Sequence, residues 1–534
     1  LAKTNAIPLP IPLLAPVIIT VLSFKRLLIN YYKLIIIFGI GLTVRFILAP
    51  FEVPIATDAF DAFIYASKLT QESQLPYGFN TANTGWQYLL SIFFSNSNFD
   101  EPLNLMSIQR TLSIIISASI IFPLYILLRK FFEEKFALLG CILFIFEPRF
   151  LLSSLLGINY PFFIFLLLIS LVSFLNNQKN LIFITFGCVA ISSLVRVESL
   201  LFIPFFIIMY SIKNHNKKEI IRLTSAVLIL VIILLPISML RIEANDEDGL
   251  ISQFLKGPSY ISKHIAGNIP DTDDPYYNNS ENKILNFVYL GISKIIMFFG
   301  LVLVPYLIIF CAISGFFILK NKKYRNLNYE KITILLFSIV IIIPAFYAYG
   351  RGISEVRYLF GLLPIFCIIG TYGIYILASK INKKNIIYLS TICLVITFSV
   401  IFIELKIPDY EYESASYFTS KEILKRTDVV NSFNGDWHLK SAHLISNWPN
   451  LPEANQYGKY SIIIDKIDVT QLENLDNFLV SSKDKKLEYV IISNRDEIIE
   501  FEKYPYLIEE INSRDYGYKH KFQIFKIVNS KIGE

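Results

Sequence analysis

Between Lys331 and Arg351 the chain reads Ile332-Thr-Ile-Leu-Leu-Phe-Ser-Ile-Val-Ile-Ile-Ile-Pro-Ala-Phe-Tyr-Ala-Tyr-Gly350, with no charged side chain inside. A helix rises about 1.5 Å per residue, so such a run reaches across a hydrocarbon layer about 30 Å thick. Runs of this kind recur upstream as far as residue 31 and downstream as far as residue 403, and then stop. They predict about eleven spanning helices, at approximately 31–49, 106–128, 136–154, 159–175, 181–194, 199–212, 223–240, 295–319, 332–349, 358–379 and 386–403. The fifth and sixth are short and read as a helix pair whose tip carries Arg196 and Glu198.

The bulk numbers agree. Of 534 residues, 54% are hydrophobic and 17% charged, against about 45–50% and about 25% in soluble chains. The net charge of +6 is therefore a property of loops and not a nucleic-acid footprint. Every second loop is basic: Lys25, Arg26 and Lys33; Arg129, Lys130 and Lys135; Lys179; Lys213, Lys217, Lys218 and Arg222; Lys320 to Lys331; Lys380, Lys383 and Lys384. The alternate loops hold most of the acid, including Glu52, Asp58, Asp61, Glu243, Asp248 and the run Asp271, Asp273, Asp274. By the positive-inside rule the basic set is cytoplasmic. An odd number of crossings then places the C-terminal region outside, in a multi-pass protein of the cell membrane.

Three regions follow. Residues 1–30 form an apolar segment interrupted by Pro8, Pro10, Pro12 and Pro16. This segment is expected to lie at the interface, add a poor extra helix or act as a leader without a clear cleavage site. Residues 31–405 form the membrane domain, with long outer loops at 50–105 and 241–294. Within the first loop, 58–72 reads as an amphipathic helix with Thr57 as N-cap. Phe60, Phe63 and Ile64 make its apolar stripe, and Asp58, Asp61, Tyr65 and Lys68 its polar one. Residues 86–94 make a second apolar segment, too short to span. Residues 406–534 are expected to fold as a soluble α/β domain, with strands at 461–465, 487–493 and 521–528 and helices at 422–426, 471–479 and 504–512.

Chemistry-bearing residues gather at the outer ends of the spans. Arg45 lies in the first span, with Asp58 and Asp61 in the loop after it. Glu147 and Arg149 interrupt the third span. Arg196 and Glu198 form the hairpin tip, and Arg351, Glu355 and Arg357 join the ninth and tenth spans. Ionisable groups at membrane depth face a protein interior or a wet cavity. Opposite signs on one side suit a cavity for an anionic lipid headgroup. The bland alternatives are a first-turn acid at Asp58, a structural pair at Glu147 and Arg149, a hairpin pin at Arg196 and Glu198, and an interfacial anchor at Arg357 and Tyr358. The five cysteines all fall in apolar runs, so no disulfide framework is expected, and no His/Cys group has zinc spacing. His264 and His438 read as surface residues, and Asn278-Asn279-Ser280 is a glycosylation sequon.

Four stretches resemble the GT-C superfamily of polyprenyl-phosphate-sugar glycosyltransferases, of the protein O-mannosyltransferase (family 39) and aminoarabinose lipid A transferase kind. They are Thr57-Asp58-Ala-Phe-Asp61-Ala-Phe-Ile-Tyr65-Ala, Asn83-Thr-Gly85-Trp86, Leu194-Val-Arg196-Val-Glu198, and Arg357-Tyr358-Leu-Phe-Gly-Leu-Leu-Pro364. The resemblance implies a helical multi-pass fold with a trailing soluble domain. It also implies inverting transfer from a donor such as a dolichyl-phosphate mannose, and a catalytic base at Asp58 with Asp61 as understudy. Two residues separate these acids here, where many members have adjacent ones. The Trp-Trp-Asp-Tyr-Gly motif of oligosaccharyltransferase catalytic subunits is absent, which argues against N-glycan transfer en bloc.

The chemistry of the residues is compatible. An acceptor hydroxyl must lose a proton as it attacks, and a partly desolvated aspartate has the raised pKa that suits a base. A phosphate leaving group needs fixed cations, best supplied by Arg. Glu147, Arg149, Arg196, Glu198, Arg351, Arg357 and Tyr358 are the expected binding residues. No metal is required, although the outer acids have the chemistry to bind a divalent one. The resemblance implies an acceptor that is a protein, lipid or surface glycan of the cell envelope, and a sugar that is a hexose or pentose. A flippase for lipid-linked sugars and a non-catalytic scaffold are the alternative readings.

Overall fold

The computed structural model describes residues 14–406 except 56–57, 73–74, 77–82, 100, 177, 215, 246–247, 253, 256–282, 321–327 and 382–383. Beyond these it describes 414, 489–493, 506–512 and 522–528, and for 14–30, 244–245, 283–284, 489–493, 509–512 and 522–524 it gives the backbone alone. The chain is an α-helical, multi-pass membrane protein. Among the described residues, seven helical stretches are long and apolar enough to cross a bilayer, and a bent pair makes an eighth candidate.

The helices are α1 (Leu14–Leu48), α2 (Asp58–Glu72), α3 (Gly85–Phe94), α4 (Pro102–Ser119), α5 (Ile121–Arg129), α6 (Glu134–Ile145), α7 (Pro148–Ser154) and α8 (Tyr160–Leu175). They continue with α9 (Ile182–Val195), α10 (Phe202–Lys213), α11 (Lys217–Asn245), α12 (Lys283–Leu303), α13 (Leu307–Lys320), α14 (Tyr329–Gly350), α15 (Leu363–Ile381) and α16 (Lys384–Glu404). Each expected span finds its helix or helix pair. The proline-rich stretch is, from Leu14 onward, continuous with the first span. The third span is broken between α6 and α7 by a 58° bend. Pro148 lacks an N–H and cannot extend α6, while Glu147 caps the new helix by accepting from the amides of Arg149 and Phe150 (3.3 and 2.6 Å).

The eighth span is also broken, into α12 and α13. Lys294 on α12 donates to the Gly352 carbonyl and the Ser354 hydroxyl (2.5 and 2.6 Å), at the end of the bundle that holds the acidic loops, labelled the outer end for that charge pattern alone. Lys380 lies over the ring of Phe317 on α13 (4.1 Å), among the basic loops. Together α12 and α13 therefore cross once.

Contacts between loops test the charge pattern independently of hydropathy. Lys33 pairs with Glu134, Lys179 with Glu219, and Lys213 lies over Tyr329, all within the basic set. Within the opposite set, Asp58 pairs with Arg357, Asn83 accepts from the Val197 amide, and Arg241 bonds Thr84. Each loop thus lies at the end of the bundle that its charge predicts.

In the first outer loop, α2 and α3 pack together. Phe60, Phe63, Ile64, Trp86, Leu90 and Phe94 share one buried cluster. Trp86 Nε1 donates to the Gly157 carbonyl (3.2 Å), pinning α3 to the turn after α7. Only half of the expected polar stripe of α2 meets solvent. Asp58 and Asp61 are exposed, whereas Tyr65 and Lys68 are buried. Tyr65 stacks edge-on with Tyr88, and burial raises its phenol pKa.

In the C-terminal region, β1 (Tyr489–Ser493), β2 (Leu507–Asn512) and β3 (Phe522–Ile527) form an antiparallel sheet in the order β1-β3-β2. The strands expected at 487–493 and 521–528 are present. The helix expected at 504–512 is a strand instead: Leu507 pairs with Ile527 and Ile508 with Lys526. The elements expected at 422–426, 461–465 and 471–479 lie outside the described residues, as do Thr57, the 271–274 acids, the 278–280 sequon, His264 and His438.

Candidate functional site

Two neighbouring features occupy the outer end of the bundle. The first is a chain of charges and rings. Arg357 sits in the 3₁₀ turn Val356–Leu362, which leads from the outer end of α14 into α15. Its Nη2 meets the Asp58 carboxylate at 2.8 Å and its Nε bonds Glu355. Tyr160, at the start of α8, has the Arg357 guanidinium on its ring at 5.8 Å and that of Arg196 at 4.2 Å. Arg196 pairs with Glu198 at 2.7 Å and lies 5.6 Å from the ring of Tyr358. The order is carboxylate, guanidinium, ring, guanidinium, carboxylate. The ring holds two cations close, where direct contact would repel them. Asn83 fixes the far end through the Val197 amide at 3.0 Å.

The second feature is a cavity of about 780 Å³ between the outer ends of α1, α7, α16 and the 354–360 turn. Its walls are apolar, built from Ile47, Leu48, Leu152, Leu156, Phe360 and Phe402. Arg149, Arg357 and Lys406 bring positive charge to it, and Glu52 and Glu355 negative charge. Arg149 lies over the Phe402 ring at 4.8 Å, and its Nε is buried without a hydrogen-bond partner. The broken third span creates this cavity wall.

Arg357 belongs to both features, so Asp58, Arg149, Arg196, Glu198, Arg357 and Tyr358 form one continuous constellation. Asp58 is not desolvated as expected: its side chain is 65% exposed and rests on Arg357. Asp61 lies one helical turn further, also exposed. Glu147 is buried and its carboxylate is turned to the α7 amides, so it shapes the wall without lining it. Arg351 lies over Tyr347 at 5.7 Å and does not line the cavity. Among the described residues, no three His, Cys, Asp or Glu side chains converge as metal ligands.

Sequence reasoning missed Tyr160 and Arg110, and it placed Asn83 in a motif without giving it a role. Arg110 is 2% exposed and donates to the carbonyls of Leu155 (3.1 Å), Pro54 (3.2 Å), Pro50 and Val53. A lone charge inside the apolar run 106–128 was the available signal.

No family model matches this chain, and no curated protein matches it. Solved structures do. One is an oligosaccharyltransferase of Archaeoglobus fulgidus in complex with zinc and sulfate, 12% identical, with a TM-score of 0.48 over 86% of this chain and 68% of that one. The archaeal oligosaccharyltransferase AglB from the same organism, with an inhibitory peptide and a dolichol-phosphate, is 11% identical, with a TM-score of 0.47 over 88% and 70%. ArnT from Cupriavidus metallidurans bound to undecaprenyl phosphate is 9% identical, with a TM-score of 0.46 over 94% and 99%. At that level of likeness, the assignment of function rests on the residues of this chain.

Proposed function

We propose that the protein is a membrane glycosyltransferase that takes a sugar from a polyprenyl-phosphate donor on the extracytoplasmic face. The observation that carries the reading is the Asp58–Arg357 pair at the rim of an apolar cavity that Arg149 also enters.

The apolar walls accept the first isoprene units, while Arg149 and Arg357 face the phosphate. The acceptor hydroxyl approaches from the exposed side of α2. Its oxygen bonds to the anomeric carbon as the bond from that carbon to the phosphate oxygen breaks. The phosphate leaves with the bonding pair, its charge met by guanidinium groups. Asp58 takes the hydroxyl proton, with Asp61 one turn away. Attack opposite the departing phosphate inverts the anomeric carbon. Glu355 and Glu198 hold Arg357 and Arg196 in place, and Tyr358 closes the aromatic floor between them. Arg351 stands near the same turn as a reserve cation. In this reading EDTA leaves transfer intact, because guanidinium groups alone meet the leaving-group charge. The acceptor is a protein, lipid or surface glycan.

The test is to incubate purified protein with mannosyl-, glucosyl- and aminoarabinosyl-phosphoryl polyprenols and follow donor consumption. At least one should be consumed, and Asp58→Asn should abolish consumption while expressing normally. Full turnover by that variant removes Asp58 as the base. Movement of intact donor across proteoliposomes without bond cleavage favours the flippase.

A further inference from the structure

Asp58 is exposed and leads α2, so something must fix where its carboxylate stands. The chain before it, 50–55, forms turns but no helix or strand. Two adjacent residues of α4 reach both sides of it. Arg110 donates to Pro50, Val53 and Pro54 on the approach to Asp58, and to Leu155 beyond α7. Gln109 donates through Nε2 to Ala59, the residue after Asp58, at 2.8 Å, and to Gly157 at 2.9 Å. Gly157 sits at φ +77°, and a Cβ there would lie 3.2 Å from Gln109 Cγ, so the turn is shaped to receive this amide. Both side chains are buried.

We propose that Gln109 and Arg110 form a positioning clamp that holds Asp58 against Arg357 and sets the rim of the donor cavity. Resting on the glycosyltransferase reading, this adds two positioning residues to its site. Pro50 and Leu155, both bonded to Arg110, also line the cavity, so one guanidinium ties the donor side to the base side. The chemistry requires Arg. Four carbonyls are met through Nε, Nη1 and Nη2, within the five N–H donors of a guanidinium, and an ammonium with three donors cannot serve all four. Gln109 supplies two N–H donors from one nitrogen to two carbonyls, a task that Glu and Leu cannot perform. The clamp touches neither donor nor acceptor.

The experiment uses Arg110→Lys, Arg110→Met and Gln109→Leu in the full chain, with two readouts. The first is amide hydrogen exchange in detergent. Exchange across 50–60 and 155–158 should quicken at least tenfold, while exchange across α9 stays within twofold of wild type. The second is donor turnover. The kcat should fall about 30-fold, with the donor KM within about threefold, because a base displaced by an ångström loses rate more than affinity. Arg110→Lys should retain more activity than Arg110→Met. Unchanged exchange in both Arg110→Lys and Gln109→Leu overturns the clamp. A uniform rise in exchange across all helices, with kcat and KM failing together, also overturns it and makes the pair a general folding element. If wild type consumes no donor, the glycosyltransferase reading fails, and the exchange data alone decide whether the pair fixes Asp58.

Discussion

Arg357 is the residue on which the outer site turns. One guanidinium meets Asp58, bonds Glu355 and lies on Tyr160. A lysine keeps the charge but loses the planar fork and the stacking face. Arg357→Lys should therefore cut donor turnover about tenfold or more, measured as kcat/KM on the donor that wild type consumes. Glu147 makes a contrasting case. Its carboxylate is committed to two amides, so Glu147→Gln should weaken the cap of α7 by about 1 kcal/mol and leave donor KM unchanged. A lowered Tm with normal KM is the expected result, and a raised KM returns Glu147 to the binding set. Arg196 with Glu198 was legible because a single residue separates them in sequence and a hairpin tip holds both. Tyr160 was not: a tyrosine at the head of an apolar run looks the same whether it anchors at the interface or separates two cations.

At the scale of elements, close helix packing sets tight limits. A Cβ on Gly373 of α15 would stand 2.9 Å from the Ser314 amide nitrogen of α13. Without a hydrophobic drive between helices in lipid, such small-residue contacts carry much of the association. Gly373→Val should push the two helices apart and lower the yield of monodisperse protein in size-exclusion chromatography. Acid should loosen the segment after α11. Partial burial pushes the Asp248 carboxyl up, but hydrogen bonds from Ser252, Ile251 and Leu250 outweigh it and hold the pKa below the ordinary value. A depressed carboxyl stabilises above its unfolded pKa of about 3.9, and that contribution fades as pH falls through its folded value. Asp248→Asn at neutral pH should reproduce the acid effect as faster proteolysis near residue 250. The strand at 507–512 shows where local reading fails. Ile508, Glu509 and Glu510 suit a helix, but pairing with β3 satisfies the backbone and overrides that preference.

For the whole molecule, the loop contacts divide the chain into two ends, and orientation becomes testable. A cysteine replacing exposed Ser95 should react with a membrane-impermeant maleimide on intact cells, and one replacing Lys217 should react only after permeabilisation. A cysteine at Ile508, exposed on β2, should behave like Ser95 if the C-terminal region is extracytoplasmic. Protection at Ser95 reverses the orientation and with it the face on which the proposed chemistry occurs.

Hydropathy and loop charge are sums over neighbouring residues, and each is priced by the bilayer one segment at a time. For that reason the membrane class, the placement of the spans, the alternation of the loops and the polar hairpin tip all followed from the sequence. Which charges meet is a different quantity. Asp58 and Arg357 are 299 residues apart in the chain, and Arg110 reaches back to Pro50 across 60. No local sum contains those distances. The break at Glu147-Pro148, the ring between two guanidinium groups and the exposure of Asp58 were decided by helices packing in three dimensions. There each buried N–H must find an acceptor, and the chain bends where that condition is met.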